Sequence, residues 1–296
     1  MAKDRPRLGF IGIGVLGAAM VERFLKRGYG VTAWNRSPER LAAVTAHGAV
    51  AAATPAAVAA ASDIAMLCVL DGAAVEEVCF GPGGVAEAKD GAATLVDFST
   101  IPPELTIGLA GRLAAATGAD WLDAPVSGGP PVAREGKLTI MLGGADAAVA
   151  RVAPVLGEVA SNVTHLGPVG AGQTAKVLNQ AIVGVSYLLM TEVLALAETT
   201  AVDPALLPKA LAGGLADSTI LQRIYPLMQA EEFSRPLGYA RQLNKDLQAL
   251  RAFAEARGMR LPVIEAAVAR YAEYARAGNE MADSASVSRL YPRRKR

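Results

Sequence analysis

The sequence is poor in the residues that most often carry metal and disulfide chemistry. In 296 residues it has two cysteines and two histidines. Cys68 and Cys79 are too few for a disulfide framework and lack metal-site partners, so they read as packing residues in a reducing compartment. Without a Cys/His cluster no metal site is expected, and a zinc enzyme is disfavoured. His47 looks like a helix end before Gly48 and His165 like a strand end; neither lies in a motif, which weakens a histidine general acid.

An excess of one charge is also lacking. Lys plus Arg number 29 against 28 Asp plus Glu, a net charge of +1. No global field pulls such a chain toward nucleic acid or an anionic membrane, so neither is expected as a partner. The basic run Arg293, Arg294, Lys295 and Arg296 reads as a solvated tail. Long unbroken apolar runs are missing too. The first apolar run is interrupted by glycines, which does not fit a secretory signal. The longest segment, Val177 to Ala197, contains Asn179, Gln180, Thr191 and Glu192 and is read as a buried helix instead of a membrane span. A cytoplasmic protein is the expectation.

What is present is a change of texture near residue 172. Before it, β-rich runs (RLGFI, GVTAWN, IAMLCVL, TLVDF, DWLDAPV, KLTIML, NVTHL) alternate with helical stretches. Ser37-Pro38 and Thr54-Pro55 supply N-cap and first-turn proline for two of these stretches. Such alternation predicts a largely parallel, doubly wound sheet. After GPVGAGQ the β-rich runs vanish, and apolar residues recur at helical spacing over 173–200, 204–212, 217–229, 238–257 and 262–277. The reading is an α/β chain of two domains: 1–167, a doubly wound dinucleotide-binding domain, and 168–296, an all-helical domain entered by one long helix.

Between the first strand and the first helix stands Gly12-Ile13-Gly14-Val15-Leu16-Gly17. In G-x-G-x-x-G the first glycine allows a tight turn, the second lets a pyrophosphate approach the helix N-terminus, and the third lets helix and strand pack closely. The strand before, the helix after and a second strand at the right distance turn a weak motif into a prediction of dinucleotide binding. At the end of that second strand, where an acidic residue would meet a ribose 2′-hydroxyl, the chain has Asn35-Arg36-Ser37. No carboxylate repels a 2′-phosphate, and Arg36 can pair with one. NADP(H) is the expected cofactor, with NAD(H) the alternative; the bland reading makes Arg36 a surface arginine and Ser37 only a cap.

Two further stretches carry chemistry. In DAPVSGG, Ser127 precedes Gly128 and Gly129, so a hydroxyl and exposed backbone N–H groups could receive a carboxylate; an ordinary glycine turn explains the same residues equally well. In GAGQTAKVLNQ, Asn179 and Gln180 follow Lys176 by three and four residues and share its helical face. A lysine on a helix is, by itself, more often a solvated charge than a catalyst.

Taken together and in order, GFIGIGVLGAAM, WNRSPER, VDFSTIPP, DAPVSGG, GAGQTAKVLNQ and LNKDL closely resemble the β-hydroxyacid dehydrogenases, over almost the whole chain from about Arg7 to Ala277. The resemblance implies a Rossmann-type sheet followed by the helical domain, and an oxidoreductase interconverting a small β-hydroxyacid and its semialdehyde or keto acid. It makes Lys176 the catalytic lysine, Ser127, Gly128 and Gly129 the carboxylate loop, and Asn179 with Gln180 the amide pair beside the substrate. Thr100 and Lys245 then match positions near the nicotinamide, while Leu70 and Asp71 match a loop passing the ribose. Many members have Asn where this chain has Gln180, and others have an apolar residue where it has Asn244, either of which could alter substrate choice.

The implied mechanism passes a hydride between nicotinamide and carbonyl carbon while Lys176 gives or takes the hydroxyl proton, which works best when the lysine's pKa lies near the working pH. Burial in a closed site moves a lysine that way. The rivals are an NADPH-dependent imine reductase, expected to lack both DAPVSGG and the lysine motif, and a non-catalytic relative, expected to have lost Lys176. A 6-phosphogluconate enzyme is disfavoured by the short helical part. A helix apolar most of the way round also leads us to expect a homodimer or homotetramer.

Overall fold

The computed structural model describes residues 5–234, 236 and 238–291; the basic run at 293–296 lies outside them. Its strands are β1 (Leu8–Ile11), β2 (Val31–Trp34), β3 (Val50–Ala51), β4 (Ile64–Leu67), β5 (Thr94–Asp97), β6 (Asp120–Asp123), β7 (Val126–Ser127), β8 (Leu138–Gly143) and β9 (Ala160–Gly167). They form one sheet in the order β3-β2-β1-β4-β5-β6-β8-β7, with β9 beside β8. All pairings from β3 across to β6 are parallel. β8 runs antiparallel to β6 and β7, and β9 parallel to β8. The sheet is therefore mixed at one side, where β8 lies between β6 and β7 and runs against both.

Alternation along the parallel strands explains why both faces are covered. Leu8, Phe10, Ile64, Met66, Val96 and Leu122 enter one core with Met20 and Phe24 of the helix Val15–Lys26. Their neighbours Ala65, Leu67, Leu95 and Trp121 enter a second core with Leu109 and Leu113 of the helix Pro103–Thr117. Strands buried on both faces read as continuous apolar runs, as these do. The order reverses between β1 and β4, and the crevice beyond the carboxyl ends of strands at such a switch point is where ligands bind in open α/β sheets.

The chain divides into two compact units, Met1–Lys176 and Val177–Arg296. In the second, Leu188 and Leu194 pack with Tyr225, Met228, Leu247, Leu250, Tyr271, Tyr274 and Val287. Gly184 permits this packing, since a Cβ there would stand 2.6 Å from Leu247 Cδ2.

Several local expectations change. The segment 37–48 folds as a 3-10 turn Pro38–Leu41 and a single α-turn Ala42–Thr45, because only Leu41 and Val44 offer it apolar burial. The helix expected over 217–229 is two, Thr219–Arg223 and Tyr225–Ala230, with Pro226 in the first turn of the second, where its missing N–H does no harm. A 3-10 helix, Ser284–Leu290, follows where none was expected; Ser284 to Ser288 are all buried.

The long helix Ala171–Ala197 is not the buried helix expected from its composition. By length and mean hydropathy (1.6) it could cross a membrane, yet only 28% of its apolar window is buried within the chain. Val177, Leu188, Thr191 and Leu194 face inward, while Leu178, Ile182, Leu189 and Leu196 form an exposed stripe on the opposite side. Periodicity marks how much of a helix is apolar, not whether one chain covers all of it.

Candidate functional site

The glycine loop follows β1 at the switch point. Gly12 adopts φ +100°, and a Cβ there would stand 2.2 Å from the Cys68 carbonyl oxygen at the end of β4. A Cβ on Gly17 would meet Gly12 O at 2.1 Å, so that glycine sets the approach of helix to loop. Around Gly14 nothing lies within 4 Å. Gly14 is also the N-cap of the helix Val15–Lys26 and gives it no side-chain cap. Three glycines thus serve a turn, an open approach and a close packing, at a helix N-terminus that has no side-chain cap. This cradle fits a dinucleotide pyrophosphate. Ile13 is buried in the core, Leu16 packs against it, and Val15 is exposed.

Asn35, at the end of β2, is engaged within the loop itself. Its Oδ1 accepts from Ile13 N at 2.8 Å and its Nδ2 donates to Ser37 O at 2.9 Å. Arg36 is exposed. Ser37 occupies the N-cap of the next turn but its hydroxyl makes no capping bond, unlike Thr54, whose Oγ1 accepts from Ala57 N. Leu70 is half-exposed after β4, and the Asp71 carboxylate caps the helix Gly72–Phe80 by accepting from Ala74 N. Thr100 is half-buried in the loop after β5.

At the carboxyl ends of β5 and β6 two aspartates stand in register, Asp97 and Asp123, both fully buried. Asp97 Oδ1 accepts from Ser99 N at 2.8 Å, while Oδ2 has no partner. Burial, with a smaller contribution from Asp123, pushes the Asp97 carboxyl up to about 7. Asp123 is pushed up by burial as well, opposed by the backbone N–H groups that bond it. Burial raises the Cys68 thiol to about 12 and the Cys79 thiol further, so both are inert packing groups. Among the described residues no cluster of His, Cys, Asp and Glu could hold a metal.

From β6 the chain reaches β7, where Ser127 is half-buried, then Gly128 (φ +133°) and Gly129 (φ +75°). A Cβ at Gly128 would meet Val132 at 2.8 Å, whereas Gly129 is open. Lys176 is 7% exposed, and its Nζ donates to Val126 O at 2.8 Å, beside Ser127 in the chain.

In the helical unit four polar residues join. Asn179 Nδ2 donates to Gln180 Oε1 at 2.8 Å, and Gln180 Nε2 donates to Asp246 Oδ2 at 2.7 Å. Lys245 Nζ lies 3.3 Å from the other oxygen of Asp246. Sequence reasoning did not single out Asp246, nor Asp123 or Gln173. All three lie inside the quoted motifs, so the signal was present but each was overshadowed by a more obviously reactive neighbour.

Residues 7–167 match the model of the NAD binding domain of 6-phosphogluconate dehydrogenase, and residues 170–291 that of the NAD-binding domain of NADP-dependent 3-hydroxyisobutyrate dehydrogenase. The chain belongs to the β-hydroxyacid dehydrogenase family. It is 40% identical to the 2-hydroxy-3-oxopropionate reductase of Escherichia coli, over 73% of each chain. It is 38% identical to a 2-(hydroxymethyl)glutarate dehydrogenase of Eubacterium barkeri, over 67% of this chain and 65% of that one. The crystal structure of a 3-hydroxyisobutyrate dehydrogenase from Salmonella typhimurium superposes with a TM-score of 0.86 at 28% identity, covering 96% of this chain and 99% of that one. An imine reductase from a Pseudomonas species, 21% identical with a TM-score of 0.65, shares the fold. As a member of the β-hydroxyacid dehydrogenase family the chain is an NAD(P)-dependent oxidoreductase that uses a nicotinamide cofactor.

Proposed function

We propose that this family member is a cytoplasmic, NADP(H)-dependent enzyme that interconverts a small β-hydroxyacid and its semialdehyde or keto acid, with Lys176 as general acid and base. The observation that carries this reading is the lysine itself: nearly fully buried, with its amine held 2.8 Å from Val126 O beside the Ser127–Gly129 turn. A solvated helix lysine keeps its ammonium in water. This one does not. When bound, the nicotinamide supplies or removes the hydride. Ser127 and the N–H groups of Gly128 and Gly129 receive the substrate carboxylate, which places the carbonyl of a short acid at the lysine. Lys176 donates to that oxygen and delivers its proton as the alcohol forms; in the oxidative direction it accepts the hydroxyl proton. Asn179 and Gln180 orient the substrate, and Thr100, Leu70, Asp71 and Lys245 belong to the cofactor's surroundings.

Preference for NADP(H) over NAD(H) is supported at the end of β2. The one ionisable side chain in Asn35-Arg36-Ser37 is a cation, Arg36 is exposed, and the Ser37 hydroxyl does not cap the turn that follows. Both can meet a 2′-phosphate. A homodimer or homotetramer is supported by the exposed stripe Leu178, Ile182, Leu189 and Leu196, which a second copy would cover.

The test is consumption of NADPH and NADH by the full chain over succinic semialdehyde, glyoxylate, tartronate semialdehyde and methylmalonate semialdehyde, with a cyclic imine included and Lys176→Ala beside the parent. We expect reduction of at least one acid, NADPH preferred, and a loss of about 10²–10⁴-fold in kcat for the variant. Turnover of the imine alone, or a variant as active as the parent, would overturn the reading.

A further inference from the structure

The first turn of the long helix is fastened by a carboxylate to which the reaction gives no role. Asp123 Oδ1 accepts from Gly170 N and Oδ2 from Gln173 N, each at 2.8 Å. The space around the carboxylate is made by glycines: a Cβ on Gly143 would stand 2.5 Å from Oδ1, and one on Gly172 would stand 2.9 Å from Oδ2. Either side chain would push the carboxylate off the helix end. Bonds to backbone N–H that an ionised acceptor makes are stronger than neutral ones, and negative charge at a helix N-terminus is favourable.

Gln173, fully buried, fastens the same turn a second time. Its Nε2 donates to Ser99 O at 2.7 Å and its Oε1 accepts from Ile101 N at 3.3 Å. Lys176 lies three residues beyond Gln173 on the helix, and Val126, whose carbonyl takes the Lys176 amine, lies three residues beyond Asp123 in the strand segment. The same two pieces of chain are therefore tied twice, first at Asp123 with Gln173 and again at Val126 with Lys176. The second tie sets the direction of a flexible side chain. The first sets the helix that carries it.

We propose that Asp123 is a positioning residue for Lys176: by holding the N–H groups of Gly170 and Gln173 it fixes the height and rotation of the helix turn from which the amine reaches Val126 O and the Ser127 turn. A helix that slips by one residue moves about 1.5 Å and turns through about 100°. A displacement of about 1 Å at a reacting group can cost about 10²-fold in rate. The inference rests on the reading of Lys176 as acid and base.

The experiment compares Asp123→Asn, Asp123→Glu and Lys176→Ala with the parent in the full chain, on the best substrate of the panel. Read for each are kcat, KM, the pH profile of kcat and NADPH affinity. Asp123→Asn keeps the volume but presents an NH2 where an N–H must be accepted. We expect it to bind NADPH within about threefold of the parent, because the glycine loop is untouched, while kcat falls about 10–100-fold with a smaller change in KM. Its pH limb moves to lower pH, since the helix N-terminus loses the negative charge that offsets its dipole. Asp123→Glu keeps the charge and displaces it by a methylene, so kcat falls while the limb stays. Parent-like kcat in either folded variant overturns the inference, as does failure of both to fold, which would make Asp123 an element of the fold alone. An active Lys176→Ala would sink the lysine reading itself; an inactive one beside parent-like Asp123 variants would sink only this inference.

Discussion

In the sheet unit the functional groups are held by backbone, and in the helical unit they are held by one another. Gly12 is pressed against Cys68 O, Asp123 against the N–H groups of Gly170 and Gln173, and Lys176 against Val126 O. Asn179, Gln180 and Asp246 instead form a chain of side-chain bonds, with Lys245 closing it as an ion pair. Backbone positions tolerate no substitution that moves them. Side-chain clusters can be retuned one residue at a time. On the proposed roles, Lys176 and the Ser127–Gly129 turn rest on fixed backbone, and Asn179 with Gln180 on an adjustable network.

The largest effect expected is at the glycine loop. Gly12→Ala combines a positive φ with a carbonyl oxygen that cannot yield, and should cost about 3 kcal/mol or more. That lowers Tm by roughly 6–12 °C. Gly14→Ala, in open space, should leave Tm nearly unchanged yet weaken NADPH binding about tenfold. Equal stability loss in both would show that the loop is fixed by packing alone and not shaped for a ligand.

A second test concerns the buried carboxylates. Asp97 is held up at about 7 chiefly by burial, against an ordinary value of 3.8. The folded protein thus binds the proton more tightly than the unfolded chain. Its contribution to stability is complete below about pH 4 and is lost as pH rises through about 7. Asp97→Asn stays neutral and can still accept from Ser99 N. Urea midpoints of the variant should therefore fall less steeply between pH 4 and 8, the difference being on the order of 2–4 kcal/mol. Parallel slopes would mean that Asp97 is ionised throughout.

These tests also mark what the sequence made legible. The glycine loop could be read because backbone demands leave few residue choices: a positive φ or a close carbonyl names glycine. The doubly wound sheet could be read because strands buried on both faces are apolar in their middles, with Asp97 and Asp123 only at carboxyl ends. Asp123 was passed over in DAPVSGG because its partners are N–H groups distant in sequence, which no residue identity announces. The Gln180–Asp246 bond joins residues 66 apart, and helical spacing relates only near neighbours. The exposed stripe of the long helix was misread because its composition is the same whether a core or a second copy covers it.

Asp246→Asn tests the helical side of the comparison. Its neutral amide loses the ion pair with Lys245 but can still accept from Gln180 Nε2, so KM for the substrate should rise about three- to tenfold, or roughly 1 kcal/mol. Tm should change little. If NADPH affinity moved and substrate KM did not, Gln180 and Asp246 would belong with Lys245 to the cofactor's surroundings and not to the substrate's.

The smallest effect separates the two units most cleanly, because it repeats the glycine test where the neighbour is a side chain. A Cβ on Gly184 would meet Leu247 Cδ2 at 2.6 Å, nearly as close as the contact at Gly12, yet Leu247 can rotate and Gly184 sits in a helix that accepts alanine. Two terms oppose each other. Overpacking a core costs about 1–3 kcal/mol, while replacing glycine within a helix returns up to about 1 kcal/mol. The net loss in Gly184→Ala should be near 1 kcal/mol, a shift of roughly 2–4 °C in Tm with activity retained. A loss as large as that of Gly12→Ala would mean that the helical core is as rigid as the loop backbone, and the distinction between fixed chemistry and adjustable specificity would no longer follow from packing.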